Sequence, residues 1–332
     1  MNNPNSAFIE LQHRIKEAGL LEPSPIFYMQ RVTVTLALAA ISIAIVTITT
    51  NFWIQMLNAV LLAFIFGQLG LFFHDVGHGQ VTGSRWHNVM NILFSIMLGW
   101  SLDWWIYKHN KHHAFPNQPE YDPDIKIHFL AFSENQTRNK GKLCRLIIRH
   151  QNILFVPMLL GESWHIRCAS IKYTVQHRTV KTVIYLFLIT AHILIYSILL
   201  FFFLPLWTAL IFALVHWGLL GVYLGLTFAP NHKGMPLIEH GTVPGYLEQQ
   251  VLTSRNVRGG WLTDFMYGGL NYQIEHHLFP SMPRNRLPMA APIVEAFCRK
   301  QGIPYTAVTI QESFRQIFGH LQRVGASMTP KE

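Results

Sequence analysis

The chain has 332 residues, 50% of them hydrophobic and only 13% charged, and its mean hydropathy is +0.23, which is too apolar for an ordinary soluble domain and reads as a membrane protein. Its three cysteines, Cys144, Cys168 and Cys298, show no Cys-x-x-Cys spacing, which argues against a disulfide framework or a zinc-thiolate site and for free thiols. The formal net charge of +9 is read as the basic excess that orients a membrane chain, not as a nucleic-acid footprint.

Residues 1–31 are polar and mixed, without the basic region, short apolar core and small-residue cleavage site of a secretory signal, and are expected to stay cytoplasmic. From Val32 to His74 there is no Asp, Glu, Lys or Arg. At about 1.5 Å per residue that stretch suffices for two crossings of a ~30 Å hydrocarbon core, with a turn over Thr47–Asn51. A second charge-free stretch, Thr182 to His232, has Pro205 near its middle and predicts another helical hairpin. Each hairpin returns the chain to the face it left. Of the 26 Lys and Arg residues, three precede the first hairpin, 13 lie between the two and 10 follow the second, so the termini and central loop are expected in the cytoplasm.

Between the hairpins, Trp86 to Tyr107 is apolar and aromatic but interrupted by His87, Asn88, Asn91 and Asp103, and is read as interfacial or re-entrant. The basic run from Arg138 to Arg149, followed by apolar Ile153 to Leu160, suggests a segment lying on lipid headgroups. After Pro283, Phe314, Ile317, Phe318 and Leu321 fall at helical spacing and fit the packing of a cap. The expectation is an all-α integral membrane protein with four transmembrane helices in two hairpins, interfacial helices and a cytoplasmic cap. It comprises an N-terminal segment (1–31), a membrane-embedded domain (32–283) and a C-terminal helical segment of the same domain (284–332).

Three motifs concentrate histidine: His74-Asp75-Val76-Gly77-His78, His109-Asn110-Lys111-His112-His113 and Gln273-Ile274-Glu275-His276-His277. On a helix, positions i, i+3 and i+4 share one face, so the second motif projects three imidazoles together. The motifs supply seven imidazoles, suited to iron, zinc, copper or nickel. Seven exceeds the needs of one ion, whereas two ions with about four protein ligands each use the whole set and leave open positions. Asp75 and Glu275 can accept ring N–H bonds from ligating histidines, or be solvated surface carboxylates.

The spacing and order of these motifs resemble the membrane fatty acid desaturases, and the resemblance covers most of the chain, including the two hydrophobic stretches around the second box. The glutamine heading the third box is similar to the front-end and related acyl-lipid or acyl-CoA members. The resemblance implies a cytoplasm-facing diiron centre that uses O2 and two electrons to insert a cis double bond into a long acyl chain, carried on CoA, a carrier protein or a lipid. It also implies a further ligand from Asn231-His232. His232 is the candidate for an eighth donor, and Gln273, a harder and weaker amide ligand, is expected to orient a water or support the ligands. Trp104, Trp105 and Tyr107 are candidates for the wall of an acyl tunnel, or for interfacial anchors. Many front-end members carry a fused cytochrome b5 with a His-Pro-Gly-Gly motif, which this sequence lacks, so electrons are expected from a separate donor such as ferredoxin or cytochrome b5 with its reductase.

Four alternatives remain open at this stage. A hydroxylase would use the same centre. A haem-binding membrane electron carrier would use His192 and His216, at similar distances from Pro205. A carboxylate diiron site would use Glu10/His13 and Glu162/His165, and a metal transporter would need polar residues along the spans.

Overall fold

Hydrocarbon offers backbone groups no water, so a chain that spans it must satisfy them within helices. The computed structural model is helical almost throughout. It describes residues 6–81, 84–177, 180–238 and 244–328, with the side chains of residues 84–88, 91 and 180 outside the description. In chain order the helices are α1 (Ser6–Glu17), α2 (Pro25–Ile48), α3 (Phe52–Gly77), α4 (Ser84–Leu98), α5 (Leu102–Ala114), α6 (Lys142–Arg149), α7 (Gln151–Leu159), α8 (Glu162–Gln176), α9 (Val180–Phe203), α10 (Leu206–His232), α11 (Tyr246–Leu252), α12 (Trp261–Tyr267), α13 (Gln273–Leu278), α14 (Leu287–Gln301) and α15 (Ile310–Ala326). Strands β1 (Asn256–Arg258) and β2 (Ala307–Thr309) pair in parallel, with Val257 opposite Val308.

Four of the described helices, α2, α3, α9 and α10, are long and apolar enough to cross a membrane. α2 begins at Pro25, seven residues before the charge-free stretch. Proline is well placed in a first helical turn, and the Arg31 guanidinium lies 5.2 Å from the Phe27 ring centroid, so the charge is carried on the helix. The chain divides into two compact units: Met1–Pro23 with Lys108–Pro157 and Leu226–Glu332, and Ser24–Tyr107 with Met158–Gly225.

The Ser24–Gly225 unit holds α2–α4, the start of α5, α8, α9 and most of α10. α2 and α3 are joined through a tight turn in which the Asn51 Oδ1 accepts from the amides of Trp53 (3.1 Å) and Ile54 (3.2 Å), capping α3. Between the two helices the Ser42 hydroxyl donates to Asn58 Oδ1 (2.7 Å), and Asn58 Nδ2 donates to Ser42 O (3.0 Å). Such reciprocal polar pairs hold apolar helices together where burial alone gives no preference over lipid. The Trp86–Tyr107 stretch resolves into α4, α5 and a break at Gly99 (φ 69°), and α4 has only 15 residues against the ~20 that a crossing takes. Two of its C-terminal carbonyls are taken by His192 Nδ1, donating to Ile96 O (3.0 Å), and Arg167, donating to Leu98 O (3.4 Å).

The Met1–Glu332 unit is drawn from three separated parts of the chain. Leu11 and Ile15 of α1 pack with Leu247 and Val251 of α11, Ile274 and Leu278 of α13, and Val294 and Phe297 of α14 in one core. Ile317 and Leu321, two of the four helically spaced apolar residues, are fully buried on α15, whereas Phe314 and Phe318 stack at 6.0 Å between ring centroids. Leu143 and Leu146 of α6 are exposed beside Arg145 and Arg149.

Candidate metal centre

The second box occupies the last turns of α5, whose terminal carbonyls need partners. α11 supplies them: Gln250 Nε2 donates to His113 O (3.0 Å) and Gln249 Nε2 to Ala114 O (3.1 Å). The third box forms α13, where the Ile274 amide donates to Asn256 Oδ1 (2.9 Å), a cap lent by β1. His232 is the last residue of α10, followed by Gly234 at φ 82°, where a Cβ would stand 3.3 Å from Gln316 O.

These elements bring six histidines into the Met1–Glu332 unit. His109 and His113 face each other with Nε2 atoms 3.0 Å apart, and the His113 ring lies 4.1 Å from His277 and 4.9 Å from His276 between centroids. His112, His232 and His277, all buried, place one ligand nitrogen each within 4.8 Å of the others. Each of the three is anchored through its other nitrogen. His112 Nδ1–H donates to Asp122 (3.0 Å), His232 Nδ1–H to Thr253 O (2.9 Å) and His277 Nδ1–H to Gln250 Oε1 (2.8 Å). A carboxylate, a backbone carbonyl and an amide oxygen can only accept, which fixes the tautomers and turns all three Nε2 lone pairs inward. The Nε2 atoms of His112 and His232 lie 3.3 Å apart, and the buried Nε2 of His277 has no hydrogen-bond partner. Lone pairs held so close repel unless a proton or a metal cation lies between them, and the donor set fits a metal such as iron.

The surrounding charge favours a cation. Burial works against a charged His112, but Asp122 and Asp124 outweigh it and raise its pKa above the usual range. Partial burial works against a charged Asp124, yet Lys108 (2.6 Å), His112 and Lys233 hold it well below the ordinary carboxylate range. Burial and then the neighbouring imidazoles push His277 far below its usual value, leaving it a neutral donor.

Gln273 and Asn231 sit at this cluster: Gln273 Nε2 lies 2.9 Å from His232 Nε2, and Gln273 Oε1 accepts from Asn231 Nδ2 (2.9 Å). Glu275 differs from the expectation that it receives a ring N–H. It follows Gln273 by two positions and precedes His276 by one, so the helix turns it away from the imidazoles. Its carboxylate accepts from Tyr305 (2.8 Å) and Asn256 (2.6 Å), and burial, only partly offset by those bonds, raises its pKa to about 7. The residues that sequence reasoning missed are Asp122, Gln250 and Thr253. Only Asp122, in the acidic Asp122-Pro123-Asp124 run close behind the second box, left a local signal.

His74 and His78 belong to the other unit, with rings 4.7 Å apart and Trp105 5.4 and 5.9 Å from them. Asp75 Oδ1 lies 3.2 Å from His74 Nδ1. Trp104 is buried, while Tyr107 is half exposed, its ring tilted against that of Tyr173 with centroids 5.2 Å apart. His192 caps α4, and His216 Nδ1 pairs with Tyr196 (2.8 Å), so both have structural partners within the bundle. His13 pairs with Glu17 at the surface and His165 with Glu162, and neither is among the metal-competent groups of the described residues.

A fatty acid desaturase family model matches residues 51–309. The chain is 30% identical to an acyl-lipid (9-3)-desaturase of Physcomitrium patens across 96% of its own length and 62% of that protein. It is also 30% identical to a Delta(8)-fatty-acid desaturase of Euglena gracilis, covering 92% of this chain and 75% of the relative, and to a Delta(5) fatty acid desaturase of Caenorhabditis elegans, covering 98% and 76%. The chain thus spans just under two thirds of the first relative and three quarters of the others. The matched region contains all three histidine boxes, the anchored imidazole cluster and three of the four apolar helices, α3, α9 and α10, and on that footing the chain belongs to the fatty acid desaturase family.

Proposed function

We propose that the protein inserts a cis double bond into a long acyl chain, at two irons held by His74, His78, His109, His112, His113, His232, His276 and His277. The observation that carries this reading is the inward convergence of three buried Nε2 lone pairs, each fixed by a separate acceptor behind it. The bound irons supply the oxidising chemistry: O2, two electrons and two protons take two hydrogens from adjacent methylenes, giving an alkene and two waters. Asp122, Thr253 and Gln250 occupy the Nδ1–H groups of His112, His232 and His277 and so aim each Nε2 at the site, and Gln273 and Asn231 offer amides beside His232 to orient a bound water. The eighth donor in this reading is His232, and Gln273 is its support.

The same reading places the two helical pairs as transmembrane hairpins with the termini and boxes in the cytoplasm, where ferredoxin or cytochrome b5 with its reductase delivers electrons. Trp104, Trp105 and Tyr107 line part of the acyl path. The acyl group arrives on CoA, a carrier protein or a lipid. Expression in a host without similar enzymes, followed by gas chromatography and mass spectrometry of the acyl chains, is expected to yield a new unsaturated species. That species should be lost in His112→Ala and His232→Ala together with iron. Hydroxylated chains without an unsaturated product would replace this reading with the hydroxylase.

A further inference from the structure

Arg255 is among the largest fully buried side chains, and burial lowers its pKa to about 10. A guanidinium withdrawn from water is costly unless each donor is used, so what it touches reveals its task. It touches the end of α10. Its backbone amide donates to Asn231 O (2.9 Å), its Nε to Pro230 O (2.5 Å) and one Nη to Lys233 O (2.5 Å). The remaining carbonyl, His232 O, accepts from Asn117 Nδ2 (3.1 Å), and Asn117 stands at φ 54°, a left-handed conformation that asparagine tolerates. The four consecutive carbonyls from Pro230 to Lys233, where the intrahelical hydrogen bonds run out, are therefore all satisfied, three of them by one residue. The second Nη reaches Gln316 Oε1 (2.6 Å) and ties the clamp to α15. The fixed positive charge also sits at the negative end of the helix dipole.

The geometry points to Arg255 as the positioning residue for the metal ligand at the end of α10: its fork fixes the last turn, and with it the direction of the His232 Nε2. Without the fork, the carbonyls of Pro230 and Lys233 lose their partners, only the backbone amide of residue 255 still holds Asn231 O, and the turn that presents His232 and Asn231 is free to unwind. Thr253, which anchors the His232 ring, lies two residues before Arg255, so backbone carbonyl and guanidinium fix the same turn from one short segment. This inference rests on His232 being a ligand.

The test uses the full-length protein in detergent micelles, freed of metal and titrated with Co2+ against a chromophoric chelator, with the visible absorption of bound Co2+ reporting ligand number. Arg255→Ala is expected to weaken Co2+ binding about tenfold, in the range seen when a ligand's support is removed, and to change the Co2+ spectrum as His232→Ala does. The double variant should bind no more weakly than His232→Ala alone, because both changes remove one contribution. Arg255→Lys keeps the charge but not the fork. It should weaken binding several-fold with a melting temperature near that of the unchanged protein, and it carries the test if Arg255→Ala does not fold. Gln316→Ala, which breaks only the link to α15, should bind within twofold of the unchanged protein. Unaltered Co2+ binding in Arg255→Lys, or full additivity of the Arg255 and His232 losses, would overturn the inference while leaving the ligand assignment standing. Full Co2+ binding and an unaltered spectrum in His232→Ala would remove both.

Discussion

An imidazole buried beside other imidazoles is a ligand only if something prevents it from turning over, and here that duty falls on Asp122, Gln250 and Thr253. Asp122 contributes most, because its carboxylate also accepts from the amides of Asn117 (2.8 Å) and Asp124 (2.8 Å) and so fixes the loop behind α5. Asp122→Asn is expected to lower metal affinity roughly 10- to 100-fold with the fold retained. Iron per protein by plasma emission, with and without a competing chelator, measures it, and an unchanged iron content would refute the role. The imidazoles were legible in the sequence because helical periodicity alone brings i, i+3 and i+4 to one face. Their supports were not. Gln250 reaches His277 across 27 residues and Thr253 reaches His232 across 21, and such pairings exist only once the chain has folded. Glu275 shows the opposite failure: its place inside the third box suggested an acceptor for the ring N–H of a ligating histidine, whereas about 100° of rotation per residue sends it to Tyr305 and Asn256.

Among the elements, the pairing of α2 with α3 depends on Ser42 and Asn58, two polar side chains within otherwise apolar surfaces. Asn58→Leu leaves Ser42 without its partner and is expected to cost about 1 kcal/mol, as polar contacts between membrane helices do, read as a shift in detergent-induced unfolding. Gly221 of α10 is a stricter case. A Cβ there would stand 2.3 Å from Leu159 O and 3.1 Å from the Ser163 amide, both backbone, which cannot rotate away. Gly221→Ala is expected to destabilise by roughly 1–3 kcal/mol in the same assay, and a neutral result would mean that α10 and the α7–α8 junction can separate without loss. The long apolar helices were readable from the absence of charge. The break at Gly99 was not, since it is held by His192 and Arg167 from remote segments.

At the scale of the whole molecule, the two turns between long helices provide the topological test. Thr50 and Pro205 are both exposed, and cysteines placed there should react with an impermeant maleimide added to intact cells, whereas one placed near His112 should not. Cys168 is exposed and must first be replaced, while Cys298, with its thiol pushed by burial up to about 12, stays unreactive at ordinary pH. Labelling near His112 from outside would reverse the proposed orientation. The core that backs the third box has a consequence in time. It joins α1, which precedes the boxes in the chain, to α14, which follows them. At about 5–20 residues per second, the ribosome completes α14 on the order of 10–40 s after the second box has left the peptidyl-transferase centre. For that interval the early histidines have no finished scaffold around them, and metal capture is expected to wait until α14 is in place. Ribosome-stalled chains ending before Leu287 should accordingly carry no bound iron, and iron on such chains would show that the cluster assembles without its core.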